Sequence, residues 1–301
     1  MQGRRYVVYD VFTDTALAGN PLAVVLDAEG LDLSRMQAIA REFNLSESSF
    51  VLAPEDPLHK ARLRIFTPDH EMPFAGHPTV GTAIALADLS SVDAAIFVLE
   101  ENIGPVRCAV TRSGGIGFGE FDLAVLPAAL DLAADKIAIG AALGLGPHEI
   151  GFENHGVGMW SAGVPYVTVP VANLEAAAKA MLHAALWSDL AGRDANGNLI
   201  CAYVYCRETI GFDNHFHARM FVPGDTPWED PATGSAAAAF AGAMVHFDQP
   251  VDGLSQVWIE QGVEMGRPSR IRLEVDVKAG RIKAARIGGQ ARKVAEGVLF
   301  A

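Results

Sequence analysis

The chain has 301 residues, 50% of them hydrophobic, with 36 acidic against 23 basic side chains and a net charge of −13. That balance excludes a nucleic-acid or anionic-membrane surface, which needs clustered Lys and Arg, and the length fits one or two folded domains. No apolar run approaches the ~20 residues of a membrane span, and the start leads straight into the strand-like YVVYDVF without a signal-peptide core, so a soluble, cytoplasmic protein is expected. Cys108, Cys201 and Cys206 form no even framework and no C-x-x-C, and read as buried, reduced thiols.

Taken in order, the elements occur twice. A strand runs into the G-x-P turn at Gly19 and a second strand, and the same pattern returns at Gly163 as GVPYVTVPV. A helix is predicted over Ser34–Phe43, with Met36, Ile39, Ala40 and Phe43 at helical spacing. Its counterpart is predicted over Leu174–Leu190. Alternating strands follow, ARLRIF and FHARMF, inside the matching landmarks RIFTP (Arg64–Pro68) and RMFVP (Arg219–Pro223). Next come EMPFAGHP from Glu71 and EDPATGSA from Glu229. Each is a P-x-x-G turn opening a helix of small apolar residues, predicted over Pro78–Leu89 and Ala236–Phe247. Glycine-turned strands close each half, at TRSGGIGFGEF and VKAGRIKAARIGG.

Such a repeat predicts an α+β fold of two pseudo-symmetric lobes, each a mostly antiparallel strand barrel round a central helix, since a helix apolar on every side is buried on every side. The expected lobes are 1–120, completed by a C-terminal strand near 288–301, and 121–287. The first N–H groups of a helix have no partner within it, and the macrodipole adds positive potential there. Gly76 and Gly234 let a ligand approach those groups closely. If the halves face each other, Gly76, Gly234 and Ser235 hold a small carboxylate in a cleft between the lobes. The plain alternative is two glycine turns, with Ser235 capping its own helix.

The halves differ in their acids. Glu47, flanked by Ser46 and Ser48, has no carboxylate counterpart in GNLICAYVY; Asp230 stands where the first half has Met72; His77 matches Ser235. Asymmetric acids on a symmetric scaffold suit moving a proton from one atom of a substrate to another. Asn20 either reaches the cleft or braces its turn. His215 and His217 alternate on one strand with no further ligands spaced for a metal, so no metal site is expected. Gly144 and Gly146 lack the third glycine of a dinucleotide turn.

The segments DVFTDTALAGNPLAVV, NLSESSFV, FTPDHEMPFAGHPTVGTA, EDPATGSAAAAF and MGRPSRI resemble the PhzF family, named after the isomerase of phenazine biosynthesis, nearly from end to end. The resemblance implies the diaminopimelate epimerase fold, a homodimer and no cofactor. It implies Glu47 as the proton shuttle, with His77, Asp230 and Ser235 around the substrate. Thiol-using members of that fold carry cysteine just before each turn glycine, where this chain has Ala75 and Thr233, so two-thiol racemisation is not expected. The expected function is cofactor-independent isomerisation by Glu47 general acid/base catalysis, assisted by Asp230 and His77, with Ser46 and Asn20 at the substrate. The alternative is a non-catalytic ligand-binding or regulatory protein on the same scaffold.

Overall fold

The computed structural model describes residues 3–301. The chain divides into two compact units, one comprising everything described up to Ala124 together with Ile287–Ala301, the other Val125–Arg286. In the first unit, β1 (Gly3–Val11) and β2 (Asn20–Val25) precede α1 (Leu33–Phe43), followed by β3 (Glu47–Leu52), β4 (Ala61–Phe66) and β5 (Glu71–Met72). Then come α2 (Gly76–Leu89), β6 (Ala94–Glu101), β7 (Gly104–Ser113) and β8 (Ile116–Asp122). The second unit holds β9 (Ala128–Leu130), α3 (Lys136–Ala142), β10 (Gly158–Ser161), β11 (Pro165–Pro170), α4 (Leu174–Lys179) and α5 (Ala184–Ala191). It continues through β12 (Cys201–Cys206), β13 (Phe216–Val222), β14 (Trp228–Asp230), α6 (Gly234–Asp248), β15 (Gly253–Gln261) and β16 (Ser269–Lys278). The last strand, β17 (Arg281–Phe300), leaves the second unit at Arg286 and ends in the first, antiparallel to β1 and paired with β8.

The pairings of one unit recur in the other with the same sense. β1–β2 is antiparallel, β2–β3 parallel, β3–β4 and β4–β5 antiparallel, β4–β6 parallel and β6–β7 antiparallel. β10–β11, β11–β12, β12–β13, β13–β14, β13–β15 and β15–β16 follow the same series. The period-2 pattern of ARLRIF accounts for β4: Ala61, Leu63 and Ile65 are buried while Arg62 and Arg64 point the other way.

Each unit wraps its strands round a small-residue helix. Twelve of the fourteen residues of α2 are buried, with β1, β2, β3, β6, β7 and β8 against it. Twelve of the fifteen residues of α6 are buried, with β9, β10, β11 and β16 against it. Close approach needs missing side chains on the strands as well. Gly119 of β8 leaves room for Ile84, whose Cγ1 would lie 3.1 Å from an added Cβ.

One predicted element differs. The single helix expected over Leu174–Leu190 is two, α4 and α5, broken at Ala180–His183. Arg219 of β13 accounts for the break: its Nη1 donates to the carbonyl oxygens of Ala177, Ala178 and Ala180 at 2.7, 3.1 and 2.9 Å, taking the acceptors a continuing helix would use. Met181 and His183 then donate their amides to Leu143 and Ala142.

Candidate active site

The repeated glutamate before each P-x-x-G turn has a physical role. In the first unit Arg64 Nε and Nη2 each lie 2.7 Å from an oxygen of Glu71. In the second, Arg219 Nε and Nη2 grip Glu229 at 2.9 and 2.8 Å. Both pairs tie a long strand to the short strand that leads into the turn, so the guanidinium fork fixes where the helix begins. Burial alone would raise the Glu71 carboxyl, but Arg64 and Asn102 hold it below its usual range.

Both helix starts are left without a side-chain cap. The N-cap of α2 is Ala75, and Thr233 at the N-cap of α6 makes no capping bond. Its hydroxyl donates to Asp230 Oδ2 at 2.5 Å instead. A Ser or Thr cap is worth ~1 kcal/mol, and forgoing it at two matched positions is the kind of local-rule violation that marks function. Ser235 does not cap either: its Oγ lies 2.7 Å from the hydroxyl of Tyr166 on β11.

In the first unit Asn20, Glu47 and His77 come together. Gly19, at φ +65°, makes the turn that delivers Asn20, and a Cβ there would collide with the Val11 carbonyl. His77 is 3% exposed on the first turn of α2. Its Nδ1 is 3.3 Å from Asn20 Nδ2 and 3.4 Å from Glu47 Oε2. Burial lowers the imidazole to about 3, so near neutral pH it is uncharged and the Glu47 contact is not an ion pair. With the Asn20 amide donating, Nδ1 is the acceptor and Nε2 carries the proton. That buried Nε2 has no partner among the described residues. Ser46 is half-buried in the turn before Glu47, and Gly76 is the first residue of α2.

In the second unit Asp230, Gly234 and Ser235 cluster at the start of α6. Gln261 braces them: its Nε2 donates to the Asp230 carbonyl oxygen at 2.8 Å and to Thr233 Oγ1 at 3.0 Å, and its Oε1 accepts from Thr233 N. Sequence marks Thr233 only as the residue before Gly234, and Tyr166 and Gln261 carry no local signal because they reach the turn only through strand pairing.

Other ionisable clusters have partners of their own. His217, which sequence paired with His215, bridges Glu260 and Glu264 at 2.9 Å each. Glu153, His155 and Asp248 offer ligand atoms within 4.8 Å of one another, but the Arg207 guanidinium already lies among them, 2.6 Å from Asp248 and 3.2 Å from Glu153. Among the described residues no helix is long and apolar enough to cross a membrane.

Two compact units repeat one series of strand pairings in an α+β fold, each opening a buried helix behind an Arg-clamped P-x-x-G turn, and comparison with known proteins gives the class. The sequence pattern of the phenazine biosynthesis-like (PhzF) family matches residues 9–297. A Mesorhizobium japonicum protein named an uncharacterized isomerase is 68% identical over 301 residues, covering 100% of both chains. Trans-2,3-dihydro-3-hydroxyanthranilate isomerase of Pseudomonas aeruginosa is 38% identical over 297 residues, 97% of this chain and 98% of its own. A Bacillus anthracis PhzF-family crystal structure superposes with a TM-score of 0.88 at 28% identity, over 100% of both chains. The chain belongs to the PhzF family, and it is an enzyme of the isomerase class.

Proposed function

We propose that this isomerase moves a proton on a small carboxylate-bearing substrate without a cofactor, with Glu47 as the general acid/base. One observation carries the reading: a glutamate oxygen 3.4 Å from a histidine that burial keeps neutral. With His77 neutral, this contact does not fix the Glu47 carboxylate in an ion pair with the ring. As a carboxylate Glu47 can take a proton from carbon, and as the acid it can return that proton at another atom. The buried Nε2–H of His77 is a donor for a substrate oxygen.

The uncapped N–H groups at Gly76 and Gly234, with Ser235, are suited to a carboxylate, and Asp230 to an amino or hydroxyl group. General acid/base action accounts for ~10²–10⁴-fold of acceleration, and positioning supplies the remainder. The name of the 38% identical relative describes a ring carrying carboxylate, amino and hydroxyl groups. A substrate of that type fits this donor and acceptor set. We propose a homodimer as the working form, which light scattering would test.

The experiment is incubation of trans-2,3-dihydro-3-hydroxyanthranilate, and then other small amino and hydroxy carboxylates, with the enzyme in deuterated water. Deuterium should enter the product at carbon, and Glu47→Gln should lose that incorporation by a factor of ~10² or more. Full turnover by Glu47→Gln would overturn the assignment.

A further inference from the structure

Thr79, in the first turn of α2, makes two hydrogen bonds with only one proton to give. Its Oγ1 lies 2.8 Å from the Ala75 carbonyl oxygen and 2.8 Å from Glu101 Oε1. A hydroxyl donates once, and a carbonyl oxygen only accepts. Both bonds exist together only when Thr79 donates to Ala75 and Glu101 donates to Thr79, which requires the acid form of Glu101. The surroundings agree. Glu101, at the end of β6, is 7% exposed, and its Oε2 is buried without a partner among the described residues. That is tolerable for the carbonyl oxygen of an acid and costly for a carboxylate. Burial pushes the group up to about 8.

The second unit builds a similar relay from different residues. In the register of β6 and β15 against their parallel neighbours, Glu100 matches Glu260, so Glu101 matches Gln261. Gln261 Nε2 donates to Thr233 Oγ1, which donates to Asp230 Oδ2. In each unit the strand end supplies a donor and a threonine at the helix start passes the bond on, although Thr79 lies in the first turn of α2 and Thr233 at the N-cap of α6; the acceptors are the Ala75 carbonyl oxygen and the Asp230 carboxylate, just before the second turn. The second unit's donor is a permanent amide; the first unit's is a proton that can leave.

We propose that Glu101 is the proton-bearing positioning residue of the α2 turn: its carboxylic acid, acting through Thr79, holds the turn that presents Gly76 and His77, and loss of its proton disturbs the Glu47–His77 group in alkaline solution. The second half rests on the functional reading of Glu47 and His77 given above. When the proton leaves to solvent, the Thr79 hydroxyl turns to the carboxylate. Ala75 then keeps only its 3.2 Å bond from the Thr79 amide.

The cations of the elements packed on β6 already have acidic partners: Arg107 and Arg112 of β7 pair with Asp122 and Asp88. α2 brings His77, which is neutral, and β7 brings Cys108, whose thiol burial and Glu101 itself push well above its ordinary range. The β4 cations Arg62 and Arg64 are paired with Glu55 and Glu71.

The test compares the full-length protein with Glu101→Gln, whose amide keeps the donor but cannot titrate. Wild-type Tm should fall by several degrees more than that of Glu101→Gln between pH 6 and 9, whereas parallel profiles would overturn the proposal. Should the variant not fold, infrared spectroscopy of the wild type decides. A buried carboxylic-acid carbonyl band present at pH 7 and gone above pH 9 supports the proposal, and no such band at pH 7 refutes it. The coupling to the site is read separately from the imidazole ¹⁵N resonances of His77. These should move between pH 7 and 9 in the wild type and stay fixed in Glu101→Gln; immobility in both would sink that half. None of these measurements uses turnover, so their failure is distinct from a failure of Glu47 as the acid/base.

Discussion

Arg64 and Arg219 occupy matched positions, yet replacing each by lysine should have unequal consequences. Arg64 makes two charge-assisted bonds, both to Glu71, with side-chain exposures of 18% and 19% for the pair. A lysine ammonium keeps one of them. Losing one charge-assisted bond costs about 1.5–3 kcal/mol when desolvated, and partial exposure brings Arg64→Lys to about 1–2 kcal/mol. Arg219 does the same for Glu229 and also donates through Nη1 to three carbonyl oxygens at the end of α4. One ammonium cannot face both directions, so Arg219→Lys loses part of the fork and strands the α4 carbonyls. Adding about 1–3 kcal/mol for buried acceptors left unsatisfied gives about 2–5 kcal/mol, the larger of the two losses. Urea unfolding at pH 7 measures both variants. Equal losses, or a larger loss for Arg64→Lys, would refute the reasoning that the guanidinium of Arg219 serves the turn and the α4 terminus together.

Gly117→Ala in β8 would drive a Cβ into Ile84 of α2; overpacking of this kind costs about 1–3 kcal/mol, to be read as a lowered urea midpoint. His217 is held up to about 9, against burial, by its hydrogen bonds to Glu260 and Glu264. A group raised in the folded state contributes stability that is complete below pH ~6.5 and lost as pH rises through ~9, in total about 3 kcal/mol. Glu264→Gln should shift that loss to lower pH, visible in urea midpoints from pH 6 to 10, and a wild-type profile without any decline over that range would contradict it.

The elements were legible because their signals are local. Small apolar runs, glycine turns and alternating strands gave α2, α6, β4 and β13 close to their observed bounds. The repeated Arg and Glu landmarks were visible too, although their meaning as one salt-bridged hairpin needed the β4–β5 and β13–β14 registers. What failed to show locally depends on residues distant in sequence. The helical pattern runs on through Ala180–His183, and only Arg219, on β13, ends α4 there. Tyr166 looks like any strand aromatic until its hydroxyl meets Ser235. Glu101 looks like a solvated strand-end acid beside Glu100. Yet Glu100 turns to the loop amides of Glu55 and Asp56, whereas Glu101 turns inward to Thr79.

Comparison of matched positions separates scaffold from chemistry. The arginine clamp and the uncapped helix start occur at matched positions in both units, and in both a threonine at the helix start bonds the matched strand-end residue, which assigns these features to the scaffold. The substitutions fall on groups that carry protons. The strand register matches Glu47 with Cys201, and the turns match His77 with Ser235 and Met72 with Asp230. His77 and Glu101 belong to one unit, and the Gln261 amide, the Tyr166–Ser235 hydroxyl pair and Asp230 to the other, so the side chains that differ between the units include those the proposed function uses to hold or move a proton.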